Sequence, residues 1–151
     1  EHGHPTYLAI RQANGSLIGV LSFTNFFMGI GAKIGYWLPR EWWDQGIMTA
    51  AVGAACHHAF FQWNADVILA SCFQTNVASR RVLEKNGFEL EGRHQLVKDG
   101  LPIVSWMYVA EAPPFEVWGE RAVRLNGTIL CASSVRQGFF QVSTLQISFA
   151  H

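Results

Sequence analysis

The stretch Asn76-Val77-Ala78-Ser79-Arg80-Arg81-Val82-Leu83-Glu84-Lys85-Asn86-Gly87-Phe88 contains a helix start, a helical stripe and a helix stop. Asn76 suits the N-cap position, and Ser79 falls three places later, where the first backbone N–H groups of a helix lack intrahelical partners. Anions and acyl oxygens are favoured at such an end. Ala78, Val82 and Leu83 form a narrow apolar face, Lys85 lies in the last turn, and Gly87 suits the left-handed position that closes a helix. The pattern predicts a helix of about three turns, followed by a strand from Phe88-Glu89-Leu90. Two roles are open to Asn76 and Ser79: they cap the helix only, or they also face a ligand.

Outward from this stretch the periodicity changes. Tyr7 to Arg11 and Leu17 to Phe23 read as strands, and Asn14-Gly15 between them is a hairpin signal. Lys33 to Leu38 is a further strand, stopped by Pro39, which cannot donate to a sheet ladder. From Thr49 to Trp63 the apolar residues Val52, Cys56, Ala59, Phe60 and Trp63 recur at helical spacing in an alanine-rich segment. Val67 to Cys72 is a continuous apolar run, as expected of a strand covered on both faces. Beyond Gly92-Arg93-His94 a hairpin is expected around Asp99-Gly100, with Ile103 to Val109 as its closing strand. Pro113-Pro114 marks a boundary, so residues 1–112 are expected to form the main domain and 113–151 a β-rich extension. Within that tail, Asn126-Gly127 signals another hairpin, and Leu145, Ile147 and Phe149 alternate.

With 151 residues and 50% hydrophobic content, the chain can bury a real core. Lysine plus arginine and aspartate plus glutamate both number 11, so there is no net basic field to hold nucleic acid. Cys56, Cys72 and Cys131 form no C-x-x-C pair, which argues against a zinc site and a disulfide framework. No metal and no nucleic acid are expected. No run is long enough for a membrane span, and Glu1-His2-Gly3-His4-Pro5 lacks the features of a signal peptide, so cytoplasm is the expected location and no membrane partner is expected. His57 and His58 cannot face one site together from adjacent helix positions.

The stretch from Asn76 to Phe88 resembles the N-x-x-S-x-R-V-L-E-K-x-G-F signature of the GNAT acyltransferase superfamily, in particular the branch that acetylates ribosomal-protein N-termini. A second likeness lies at Trp42-Trp43-Asp44-Gln45-Gly46-Ile47-Met48-Thr49, between a strand and a helix, where backbone N–H groups can gather around an anion. It is similar to the family's coenzyme-binding pattern [QR]-x-x-G-x-[GA], with Trp43 first, Gly46 as the glycine and Met48 where Gly or Ala is usual. The branch continues Thr-Glu-Ala, whereas this chain has Thr49-Ala50-Ala51. The order of the motifs extends the resemblance over about Tyr7 to Val109.

The resemblance implies an α+β (α/β) fold with a mixed, largely antiparallel central sheet and two main helices. It implies an N-acetyltransferase that moves an acetyl group from acetyl-CoA to a primary amine of a protein N-terminus, an amino acid or a small molecule. Coenzyme binding would then fall to Trp43, Asp44, Gln45, Gly46, Ile47, Met48 and Thr49, to the strand edge at Tyr36, Trp37 and Leu38, and to Asn76 and Ser79. Many members place a tyrosine four residues before the motif glycine to serve the departing thiolate. Leu83 stands there in this chain, and Ser79 becomes the catalytic candidate. For the base, the resemblance leaves His94 and Asp99 as candidates, while Glu84 and Glu91 read as structural. A complete relative has a first strand and one or two helices ahead of the opening hairpin, which this sequence does not supply. An acyl-CoA-binding module without catalysis, or an interaction protein, is therefore the alternative. A dimer through the alternating tail is a further expectation.

Overall fold

The computed structural model describes residues 5–27 and 31–113, together with the strand backbones at His2–Gly3, Arg124–Leu125, Thr128–Ile129 and Ile147–Phe149. The elements follow in the order β1 (His2–Gly3), β2 (Thr6–Gln12), β3 (Leu17–Phe27), β4 (Gly31–Trp37), a 3-10 turn (Arg40–Trp42), α1 (Ile47–Gln62), β5 (Val67–Phe73), α2 (Val77–Lys85), β6 (Glu89–Lys98) and β7 (Leu101–Glu111), then β8 (Arg124–Leu125), β9 (Thr128–Ile129) and β10 (Ile147–Phe149). Described strands form a sheet in the order β10-β2-β3-β4-β5-β7-β6, with β1 paired to β3. Most of its pairs are antiparallel; β4 with β5 and β10 with β2 are parallel. The small β8-β9 pair flanks Asn126-Gly127 as the sequence predicts. The rest of the tail, and with it any dimer contact there, lies outside the described residues.

Local chemistry explains each main element. The β2-β3 turn closes through the Ser16 N–H donating to Asn14 Oδ1 at 2.9 Å, with Gly15 at φ +87°. In α1 the buried residues Ala51, Val52, Ala55 and Ala59 face the sheet, and their small size lets the helix approach it closely. Phe23 meets Trp63 edge-on at a centroid distance of 5.1 Å. From α2 only Leu83 is fully buried; Ala78 is exposed and Val82 half-buried, so the apolar face is narrower than the spacing suggests. The helix ends as expected at Gly87, with the Phe88 N–H donating to the Leu83 carbonyl at 3.1 Å.

The core lies between the helices and one face of the sheet, where Leu21, Phe23, Ile34, Ile68, Ala70 and Tyr108 are buried. The opposite face is open: Tyr7 and Trp37 are exposed, and Val67 and Leu69 only half-buried. This corrects the expectation that β5 is covered on both sides. Its burial alternates along Val67–Phe73, because among the described residues the helices pack on a single face. Two other boundaries differ. The strand expected at Phe88-Glu89-Leu90 is β6, which starts at Glu89 and continues through Gly92-Arg93-His94 to Lys98, into the hairpin expected around Asp99-Gly100; nearly every β6 residue is exposed, so no apolar alternation announces its length. Helix α1 begins at Ile47, two residues early, because Ile47 and Met48 are both buried against the core.

One side chain sets the spacing of the two helices. Asn86 Nδ2 donates to the Thr49 carbonyl in the first turn of α1 at 3.0 Å and to the Val82 carbonyl of α2 at 2.8 Å. Gly53 faces this amide, and a Cβ there would stand 2.8 Å from Asn86 Oδ1. The missing side chain admits the clamp.

Candidate active site

A cleft of about 470 Å³ opens where the end of β4, the following loop and the starts of both helices converge. Its volume lies in the ordinary range for a small-molecule site. Register explains its position. The parallel ladder of β4 and β5 runs from Gly31↔Val67 to Ile34↔Ala70 and stops, after which β4 stays with β3 and β5 with β7. The strands therefore splay at Gly35 to Trp37 and at Ser71 to Phe73, leaving facing backbone groups unpaired with each other.

The loop from β4 to α1 is held by its own groups. The Trp43 indole N–H donates to the Leu38 carbonyl at 2.8 Å, the Trp42 and Trp43 N–H groups bond back to Pro39 and Arg40, and the Arg40 guanidinium lies 5.7 Å from the Trp43 ring centroid. Asp44 at φ +58° and Gly46 at φ +74° bend the chain into α1. Gly46 is the N-cap, yet no side chain caps this helix and no acidic residue occupies its first turn. The first N–H groups of α1 thus keep their partial positive charge at the cleft.

The start of α2 is built differently. Asn76 Oδ1 accepts a hydrogen bond from the Ser79 N–H at 3.0 Å, so Asn76 does cap the helix while also lining the cleft. The Ser79 Oγ lies 2.9 Å from the Tyr36 hydroxyl, which also donates to the Ser79 carbonyl at 3.2 Å. Burial pushes the Tyr36 phenol up to about 12, the hydrogen bond with Ser79 opposing that shift. The Cys72 thiol of β5 is also raised, chiefly by desolvation, with Arg80 and Ser79 opposing it. Cys56 on α1 is pushed by burial to about 12. These groups are neutral at pH 7.

The candidates from sequence divide cleanly. Tyr36, Trp37, Leu38, Trp43, Asp44, Gly46, Ile47, Met48, Thr49, Asn76 and Ser79 all line the cleft. Gln45 does not: its Nε2 donates to the Glu41 carbonyl at 3.1 Å, and the residue is absent from the lining. His94 and Asp99 are also absent from the lining. His94 is an exposed residue of β6, and Asp99 at φ +53° forms the β6-β7 turn. Glu84 pairs with Arg80 at 3.6 Å and accepts from the Tyr108 hydroxyl at 3.4 Å, the structural role expected of it. Glu91 is exposed on β6. Trp42, Val77, Ala78 and Val82 complete the walls with Arg81 and Lys85, whose charge is the cationic side of the cleft. For Val77 and Ala78 the start of α2 was the available signal, whereas helical spacing alone assigned Val82 to the apolar face. Among the described residues no group of three or more His, Cys, Asp or Glu can hold a metal ion, and no helix is long and apolar enough to cross a membrane.

Residues 1–89 match the family model described as the acetyltransferase (GNAT) domain. The chain belongs to the GNAT acetyltransferase family. A ribosomal-protein-serine acetyltransferase of Escherichia coli is 38% identical over 77 residues, covering 50% of this chain and 43% of that enzyme. The chain thus spans less than half the length of this GNAT relative. Among solved GNAT structures, a ribosomal-protein-alanine acetyltransferase of Vibrio fischeri has a TM-score of 0.61 at 27% identity, covering 66% of this chain and 56% of that one. RimL, a ribosomal-protein alpha-N-acetyltransferase solved with coenzyme A, has a TM-score of 0.60 at 30% identity, covering 64% of this chain and 56% of its own. The mixed sheet and two helices are the GNAT fold.

Proposed function

We propose that this chain carries the coenzyme half of an N-acetyltransferase, which transfers the acetyl group of acetyl-CoA to a primary amine. The observation that carries the reading is one cleft joining an uncapped helix start at Gly46 to a hydroxyl at Ser79. The first turn of α1 offers N–H groups to a pyrophosphate. Tyr36, Trp37 and Leu38 offer the free edge of β4 to an extended amide-containing arm. Arg81 and Lys85 add positive charge along the outer wall. In the reaction the amine nitrogen bonds to the acetyl carbon, the C–S bond breaks with its electron pair on sulfur, and the proton lost by nitrogen settles on sulfur. Ser79 donates a hydrogen bond to that sulfur as charge develops. Protein N-termini are the favoured acceptor class, since the E. coli relative and RimL are named for acetylating ribosomal proteins.

A binding module without turnover is the second reading, and one observation favours it. Asp44 is the only carboxylate in the cleft lining, and no histidine is there, so the described residues supply no evident base at the acyl end. Thermal shift with acetyl-CoA, followed by thiol release over a panel of peptides with free N-termini, amino acids and polyamines, separates the readings. Binding with turnover supports the transferase. Binding without turnover supports the module, and no stabilisation by acetyl-CoA sinks both.

A further inference from the structure

Tyr36 and Ser79 are 43 residues apart, on β4 and α2, yet their hydroxyl oxygens stand 2.9 Å from each other at the wall of the cleft. The phenol also reaches the Ser79 carbonyl at 3.2 Å. It has one proton and two acceptors, both on the same residue. When that proton lies on the carbonyl, the Ser79 O–H is left to point at the phenol oxygen. When it lies on Oγ, the Ser79 O–H is freed from the phenol and can turn to the cleft or to the Cys72 sulfur, its other side-chain partner.

We infer that Tyr36 is a positioning residue for the acetyl transfer: its hydroxyl donates to Ser79 Oγ and thereby turns the Ser79 O–H onto the coenzyme sulfur. The inference rests on the transferase reading above and adds a side-chain role for a residue assigned there only through its backbone. The resulting chain, phenol to serine to sulfur, gains from polarisation, because a hydroxyl that accepts a hydrogen bond becomes a stronger donor. No proton leaves the phenol. Its pKa of about 12 lies well above the ~8.5 of an ordinary thiol, so protonation of sulfur by Tyr36 would run uphill. The proton count stays as written for the transfer, and Tyr36 contributes by orientation. The other titratable groups at the pair are Cys56, coupled to Tyr36, and Cys72, which is coupled to Tyr36, hydrogen-bonded to Ser79 and flanked by Arg80 and Glu84; burial raises both thiols, so Cys72 meets Ser79 as a neutral thiol, a weaker acceptor than a coenzyme thiolate.

A purely structural pair would simply hold α2 on the sheet, and the two roles separate without turnover. Coenzyme A and desulfo-coenzyme A are titrated calorimetrically at pH 9, where a large share of the free thiol is ionised, into the parent chain, Tyr36→Phe, Ser79→Ala and the double variant. The parent is expected to prefer coenzyme A by about tenfold, the scale of one hydrogen bond to a charged group. Tyr36→Phe should cut this preference about threefold while desulfo-coenzyme A affinity stays constant. Ser79→Ala should abolish it, and the double variant should match Ser79→Ala. An unchanged preference in Tyr36→Phe overturns the inference, as does a parallel loss for both ligands, which marks a structural role. A further loss of preference on adding Tyr36→Phe to Ser79→Ala also overturns it, since the phenol would then reach sulfur itself. Absence of any coenzyme binding by the parent instead overturns the transferase reading.

Discussion

Two helix starts face the same cleft and are finished in opposite ways. At α1, Gly46 brings the chain in with a left-handed backbone and no side-chain cap, so the end of the helix keeps its charge for something outside the protein. At α2, Asn76 bonds the Ser79 N–H, so that end is satisfied internally and presents hydroxyl and cationic side chains. The two ends divide the labour. An uncapped start is suited to a fixed anion, and a capped start holds side chains in place for an event at the other end of the ligand.

The largest test gives α1 the charge it lacks. Gly46→Asp places a carboxylate at the positive end, where a ~5 Å approach to a phosphate near the surface costs roughly 3 kcal/mol. Acetyl-CoA affinity should fall about 100-fold by calorimetry, with a melting temperature close to the parent's, because Asp tolerates a left-handed backbone better than most residues. Unchanged affinity would remove the α1 start from the coenzyme site. Ser79→Ala asks the matching question of α2: turnover should fall roughly 10- to 100-fold while acetyl-CoA affinity stays within about threefold, the mark of an interaction made as charge develops. Equal losses in affinity and turnover would make Ser79 a binding residue only.

Two smaller effects concern the supports. Asn86→Ala removes the bond that joins α2 to α1 and the one that ties the amide to the end of α2, and leaves the Thr49 carbonyl without this partner, a loss of about 2 kcal/mol in a denaturation curve. Asn76→Ala removes a cap worth about 1 kcal/mol, and coenzyme affinity should move by less than about threefold. A larger change in affinity would mean that the Asn76 amide grips the ligand directly, and the contrast between the two starts would narrow.

Much of the fold was readable because its signals are local. Asn14-Gly15 sets a turn, Asn76 opens α2, and Gly87 closes it within a single stretch. Most of the cleft followed from the same locality, since the residues on either side of Gly46 and the start of α2 each carry a pattern. What stayed hidden depends on distant neighbours. Strand β6 is nearly all exposed, so no periodicity marks its length. The one-sided burial of β5 depends on what packs against it, which an apolar run does not specify. The Gln45 side chain is engaged by the Glu41 carbonyl, and the meeting of Tyr36 with Ser79 crosses 43 residues. No spacing rule reaches so far.

The clamp of Asn86 into the space left by Gly53 has a consequence for which ligands the cleft can accept. Neither residue lines it, yet together they fix how far apart its two helical walls stand. The two helical walls cannot part at this point without breaking the bond from Asn86 to Thr49. The width of this cleft is therefore set from behind, by one amide and one absent side chain at positions outside its lining.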